Sequence, residues 1–288
     1  MGKISQAIDN GYTAVFREVL GSLLGAAESN FGQIFKNSFS AHRDEVTITT
    51  KAGYDMWGGV YGDQNGSRKY LIASVDQSLK RLGLDYVDIF YHHVPDPNTP
   101  IEETAVALDH IVKSGKALYV GISNYNSKQT TEIGKIFKEL HTPFVVNQVP
   151  YSMLERWIEK DGLLDFAKQE GFGLVAFSPL GKGLLTDKYL KGIPADSRIG
   201  KGNPFLKPDV LTTELVDTLN ALNNIALERG QTLAQMALSW VLKDSIVASV
   251  LIGASRPEQI TENIATLEKP LSSEHIEKIE SLLQKIAK

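Results

Sequence analysis

Lys51, His93, Gln148 and Ser178 share one feature: each stands at or just past the polar end of a short apolar run, as do Ser123 and Asn124. A lysine so placed is a cation that binds an anion or lowers a neighbour's pKa. An imidazole holds or gives up a proton near neutral pH, and hydroxyls and carboxamides fix polar groups of a ligand. Every one of these residues also has an ordinary reading. Lys51 would leave a strand for solvent, His92 and His93 would pack or cap, and Ser123, Asn124 and Gln148 would form turns. Strand alternation lets only one of His92 and His93 face inward. Taken singly the signals are weak, but their recurrence at successive run ends favours a shared site.

The stretch Ile252-Gly253-Ala254-Ser255-Arg256-Pro257 is more specific. An apolar run, a glycine turn and a helix begun by proline leave backbone N–H groups where an anion can sit. Arg256 would add a charge-assisted contact to a phosphate. An ordinary strand-to-helix turn is the alternative. The phosphate reading is favoured because the last strands of a parallel barrel commonly build such a site.

The elements that must position these groups follow from the pattern. Apolar runs at residues 46–50, 86–91, 118–122, 144–147, 174–177 and 249–252 read as strands. Helices read at 70–82, 127–140, 159–169, 213–229, 232–243, 257–267 and 273–286. A further one begins at Thr99-Pro100-Ile101-Glu102, taken as a capping box with proline at the first helical position, and Gly115 closes it. Strands that alternate with helices pair in parallel and gather functional groups at their C-terminal ends. The expected fold class is therefore α/β, a (β/α)8 TIM barrel, as a single domain over residues 1–288. Such a barrel needs eight strands. Six runs are clear, the weak run 12–16 makes a seventh, and residues 3–9 look like the end of a helix. The barrel is thus expected to lack its first strand, which would leave two sheet edges unpaired and lower stability. The Gly- and Pro-containing stretch 191–208 reads as a long loop over the rim, in the manner of a lid.

Composition narrows the function. With 42% hydrophobic and 22% charged residues the chain is an ordinary globular one. A net charge of −4 without any Lys/Arg block argues against nucleic acid as partner. There is no cysteine, which excludes disulfides, thiolate catalysis and cysteine-based zinc sites. No metal site is expected. No apolar run suits a membrane span and the first residues lack a signal peptide's order, so a cytoplasmic location is expected.

Several stretches together resemble the aldo-keto reductases. They are Thr49-Thr50-Lys51-Ala52-Gly53-Tyr54, Tyr86-Val87-Asp88-Ile89-Phe90-Tyr91-His92-His93, Gly121-Ile122-Ser123-Asn124, Phe177-Ser178-Pro179-Leu180, and Gly253-Ala254-Ser255-Arg256-Pro257-Glu258-Gln259 with Glu262-Asn263. The match runs in order from about Ala26. It is most similar to the subgroup that holds bacterial L-glyceraldehyde-3-phosphate reductases and potassium-channel beta subunits. The resemblance implies a barrel that binds NADPH across its C-terminal mouth and reduces a small aldehyde or ketone. L-glyceraldehyde 3-phosphate and methylglyoxal are the implied substrate types. It further implies Lys51 and His93 as catalytic residues, and Ser123, Asn124 and Gln148 on the nicotinamide amide. Ser178, Pro179, Leu180 and Gly183, with Lys188 and Arg198, would wrap the diphosphate. Gly253, Ser255, Arg256, Gln259, Glu262 and Asn263 would hold the adenosine and its 2′-phosphate.

One region departs from the family. Its second strand carries Phe-Asp-x-Ala-x-x-Tyr-Gly, supplying the proton-donating tyrosine and an aspartate that pairs with the lysine. Here Ala27-Glu28-Ser29-Asn30-Phe31-Gly32 matches, but if Phe16 stands for the motif's Phe, the aspartate position holds Arg17. No tyrosine occurs between Tyr12 and Tyr54. The abrupt return of the match at Ala26 favours a local fault in the sequence over slow divergence. An impaired reductase is the leading expectation, with Tyr54 a weak substitute donor and His93 a donor in its cationic form. A non-catalytic NADPH-binding regulatory module is the alternative. A Schiff-base aldolase using Lys51 as nucleophile ranks third, because the segment after the last strand looks like a dinucleotide site.

Overall fold

The computed structural model describes residues 17–18, 25–54, 65–203, 206–254 and 256–286. Two compact units make up the chain, Met1–Val149 with Ile158–Val175, and Pro150–Trp157 with Ala176–Lys288.

The first unit is built on parallel strands that lie in chain order: β1 (Arg17–Glu18), β2 (Ile48–Ala52), β3 (Val87–His92), β4 (Ala117–Ser123), β5 (Phe144–Pro150) and β6 (Gly173–Phe177). Arg17 lies opposite Ile48, Thr50 opposite Phe90, Tyr91 opposite Gly121 and Ser123 opposite Gln148. Lys51, Tyr91 and Gly121 share one rung. Gly121 is required there, because a Cβ would stand 2.4 Å from the Tyr91 ring.

Helices α1 (Ala26–Ser38), α2 (Arg68–Leu82), α3 (Ile101–Lys113) and α4 (Ser127–Leu140) follow β1 to β4 in turn, and each packs on the next. Leu71, Val75, Leu79 and Leu82 recur at helical spacing, and all are buried with Val87, Phe90, Leu108 and Ile122 in one apolar cluster. Gly83 ends α2 in the left-handed region at φ 68°. Asn126 and Gln129 cap α4 reciprocally. A short turn, α5 (Trp157–Lys160), and α6 (Leu163–Glu170) precede β6.

The second unit holds β7 (Val247–Leu251) and helices α7 (Thr213–Glu228), α8 (Leu233–Val241), α9 (Pro257–Ile264) and α10 (Ser273–Leu283). Its anchor is the fully buried Trp240. The indole N–H donates to Glu280 Oε1 at 3.0 Å, and Lys243 Nζ lies 3.3 Å from the ring centroid. Arg156 donates to Glu280 Oε2 at 2.6 Å, which ties the chain after β5 to α10.

Three expectations need correction. The β2 run ends later than its apolar residues suggest, so Lys51 lies inside the strand and not after it. Thr99 does not cap α3: its hydroxyl donates to Asp96 Oδ2 at 2.7 Å, and Pro100 takes the N-cap position. Glu159–Lys160 belong to α5 and α6 starts only at Leu163, because Gly162 at φ 76° breaks the chain between them. Residues 3–9 and the candidate strand 12–16 lie outside the described residues, while the short strand β1 falls one residue beyond that run. Among the described residues no helix is long and apolar enough to cross a membrane.

Candidate active site

In the first unit the ends of β2, β3, β4 and β5 bring four of the expected groups into one connected set. Lys51, one residue before the end of the fully buried β2, donates from Nζ to Gln148 Oε1 at 2.7 Å. Gln148 is itself 1% exposed. Asn124 stands just past β4 at φ 62°, a conformation asparagine tolerates better than most residues. From there its Nδ2 donates to the His93 carbonyl at 3.0 Å and to Ser123 Oγ at 3.2 Å, while its backbone N–H donates to the Gln148 carbonyl at 2.9 Å. His93 is half-buried, and its ring stands edge-on to Tyr54 with centroids 4.4 Å apart. Gly53 makes this crossing possible. Its φ is 143°, and an added Cβ would lie 3.1 Å from His93 N and 3.2 Å from the His92 ring.

Burial governs the charges. Desolvation lowers Lys51 to about 7. His93 is driven far below the ordinary histidine value, first by burial, then by the Lys51 charge and by His92. Its neutral form therefore prevails at physiological pH, and the cationic proton donor expected from the sequence is opposed by both burial and the neighbouring ammonium. Tyr91 is pushed up by burial, and its hydroxyl finds no hydrogen-bond partner among the described residues.

The two adjacent histidines divide as strand alternation requires. His92 is fully buried, with Nδ1 2.6 Å from the Tyr125 hydroxyl and Nε2 3.3 Å from the Asn65 carbonyl. A carbonyl only accepts, so Nε2 carries the proton and Nδ1 accepts from Tyr125. Burial, outweighing the Asn65 carbonyl and the Asp96 charge, lowers His92 to about 4, which keeps it in this neutral form. Asp96 accepts from the Gly66 N–H at 2.8 Å and Thr104 donates to the Gly66 carbonyl at 2.9 Å, so His92, Asp96 and Thr104 fix residues 65–66 beside the site. Asn65 also donates from its backbone to the Gly53 carbonyl at 2.8 Å. Nothing in the sequence pattern flagged Tyr125, Asn65 or Asp96, because their roles arise from contacts across the loops. Glu28 was visible only as part of a motif. It is 1% exposed and accepts from Thr50 Oγ1 at 2.6 Å and from Arg81 Nε at 2.6 Å, pinning α1 to the strand that carries Lys51.

In the second unit the expected phosphate-side residues form two groups. The segment from Ser178 to Leu185 is a run of tight turns in which Ser178 (φ 54°), Gly181 (56°), Lys182 (59°) and Gly183 (105°) all take positive φ. Gly181 N–H donates to Ser178 O and Gly183 N–H to Leu180 O, each at 2.9 Å. Pro179 is buried and Leu180 half-buried at this turn. Arg198 joins it by donating from Nη1 to the Lys182 carbonyl at 3.2 Å. Lys188 is exposed. The other group surrounds α9. Pro257 begins the helix as expected, and Arg256 is its N-cap. Gln259 turns back to accept from Arg256 N–H at 3.3 Å. Gly253, Arg256 and Glu262 are exposed, Gln259 and Asn263 are half-buried, and Ser255 lies outside the described residues. Among the described residues no group of three His, Cys, Asp or Glu side chains suits a metal ion.

Comparison with known proteins supplies the lineage. The family model described as Aldo/keto reductase family matches residues 13–284. The L-glyceraldehyde 3-phosphate reductase of Escherichia coli (strain K12) is 56% identical over 246 residues, covering 84% of this chain and 71% of that protein. A probable voltage-gated potassium channel subunit beta from Oryza sativa subsp. japonica is 37% identical over 266 residues, 90% of this chain and 80% of that protein. Among solved structures, a thermostable aldo-keto reductase in complex with the inhibitor epalrestat superposes with a TM-score of 0.72 at 28% identity, covering 98% of this chain and 86% of that one. The alternating parallel strands and helices are thus those of a TIM-barrel-type α/β fold, and the chain belongs to the aldo/keto reductase family.

Proposed function

We propose that this chain is an NADPH-dependent reductase of small aldehydes, of the L-glyceraldehyde 3-phosphate or methylglyoxal type, with turnover below that of an intact relative. The observation that carries this reading is the bonded set Lys51, Gln148, Asn124 and His93 at the strand ends of the first unit. These groups suit a nicotinamide carboxamide and a carbonyl: Gln148 and Ser123 offer buried polar atoms, and Asn124 offers an amide. Taken by itself, the second unit offers backbone turns at 178–185 and the N-terminus of α9 beside Arg256, groups that suit phosphate oxygens. When bound, the cofactor supplies the hydride.

The protein's part is orientation and field. A neutral His93 donates a hydrogen bond to the carbonyl oxygen and fixes its direction, and Lys51 stabilises negative charge developing there. Without the family tyrosine, protonation of that oxygen falls to a weaker donor. Proton donation by a positioned side chain contributes about 10²–10⁴-fold, so turnover at least ~10²-fold below an intact relative is expected. The cytoplasm is the proposed location. Purified protein given NADPH and L-glyceraldehyde 3-phosphate tests the reading; binding without any carbonyl dependence of NADPH loss would count against it.

A second reading is a regulatory module that binds NADPH and does little chemistry. The 37% identity to potassium-channel beta-subunit proteins supports it, together with the lack of any tyrosine between Tyr12 and Tyr54. Tight NADPH binding with no turnover on any small carbonyl would favour it over an impaired reductase.

A further inference from the structure

We infer that Lys51 is also an amine nucleophile, forming a Schiff base with small aldehydes at the end of β2 without a cofactor. The inference uses the same strand-end rim as the proposed reductase site, but needs neither NADPH nor a tyrosine.

Lys51 is the one buried lysine among the described residues. Its amine is fixed from both sides: the strand holds the backbone, and Gln148 Oε1 accepts one N–H at 2.7 Å. An amide oxygen is a neutral acceptor, so this contact positions the amine while favouring its charge less than a carboxylate would. Burial brings the neutral amine into range at physiological pH. Solvent reaches the rim beside it, where His93 is partly exposed and Tyr54 is 41% exposed. The imidazole of His93 is close enough to feel the Lys51 charge, and as a neutral base it can pass a proton between amine and oxygen. A lysine only 9% exposed selects for small, unhindered carbonyls.

The step balances without an oxidant or reductant. The Nζ lone pair attacks the aldehyde carbon, the C=O π bond opens, and a proton moves from nitrogen to oxygen to give the carbinolamine. The carbinolamine then loses its hydroxyl and the remaining N–H proton as one water, and the nitrogen lone pair closes the C=N bond between the aldehyde carbon and Nζ. Water reverses the step.

The test is reductive trapping. The full chain is incubated at pH 7.5 with propionaldehyde and cyanoborohydride, without NADPH, and propylated residues are mapped by mass spectrometry. An ordinary lysine near pKa 10.4 is almost wholly protonated at this pH, so Lys51 should be labelled at least about tenfold faster than the surface lysines. The rate should rise as the pH is taken from 6 to 8 and then level off. Lys51→Arg should abolish the fast site, its folding checked by circular dichroism. Labelling spread over surface lysines with Lys51 unmodified in the unmutated chain overturns the inference. A repeat with NADPH separates it from the reductase reading. Fast Lys51 labelling that NADPH does not slow upholds the Schiff base and counts against NADPH at this rim. Fluorescence-detected NADPH binding with Lys51 inert does the reverse.

Discussion

At the residue scale the site depends on burial more than on residue type. Lys51 and His93 were legible as candidates because they sit at successive strand ends, and the strand pairing brings Gln148 and Asn124 to them. The state of each group was not legible, since desolvation depends on neighbours from distant parts of the chain. Lys51, lowered to about 7, binds fewer protons in the folded than in the unfolded chain between pH 7 and its ordinary value. Its burial penalty is therefore full below about pH 7 and vanishes above the unfolded value, so stability rises with pH through that window. Lys51→Met should accordingly stabilise the protein more at pH 6 than at pH 10, by a difference of up to roughly 4 kcal/mol in denaturant melts. Equal effects at both pH values would show that the ammonium is not desolvated. His93→Ala should lower kcat/KM for a small aldehyde by about 10–100-fold, with little change in NADPH affinity. A large loss of cofactor binding instead would make the histidine part of the cofactor pocket.

At the element scale most of the framework could be read from hydrophobic period and turn residues. The α4 helix (Ser127–Leu140) begins and ends where the pattern placed it, because Asn126 and Gln129 make a reciprocal cap with a sequence signature. The start of α3 was misread, because Thr99 has the sequence of a cap but Asp96, three residues upstream in the loop, captures its hydroxyl. Such competition between a helix end and a loop carboxylate has no local signal. The same holds for Glu28, whose burial between Thr50 and Arg81 joins α1 to β2 and α2. Glu28→Ala would leave a guanidinium and a hydroxyl without this partner and should cost about 3 kcal/mol in urea unfolding. A change below ~0.5 kcal/mol would mean that the pair is replaced by water at no loss.

At the scale of the whole molecule, the in-order array of strand-end motifs identified the family without any one motif being decisive, and 56% identity to a named reductase agrees with it. What the array could not supply is the cofactor preference or the activity of this chain. Arg256, exposed at the N-cap of α9, is the proposed partner of a 2′-phosphate. A charge-assisted contact of ~1.5–3 kcal/mol corresponds to roughly a ten- to hundredfold preference for NADPH over NADH, which Arg256→Ala should shrink. The most direct test of the account is a fluorescence titration of the purified chain with NADPH and with NADH, followed by turnover of L-glyceraldehyde 3-phosphate in the same samples. NADPH should bind at least about tenfold tighter than NADH, with turnover at least ~10²-fold below an intact relative. Equal affinity for the two cofactors, or turnover equal to that of the relative, would contradict it.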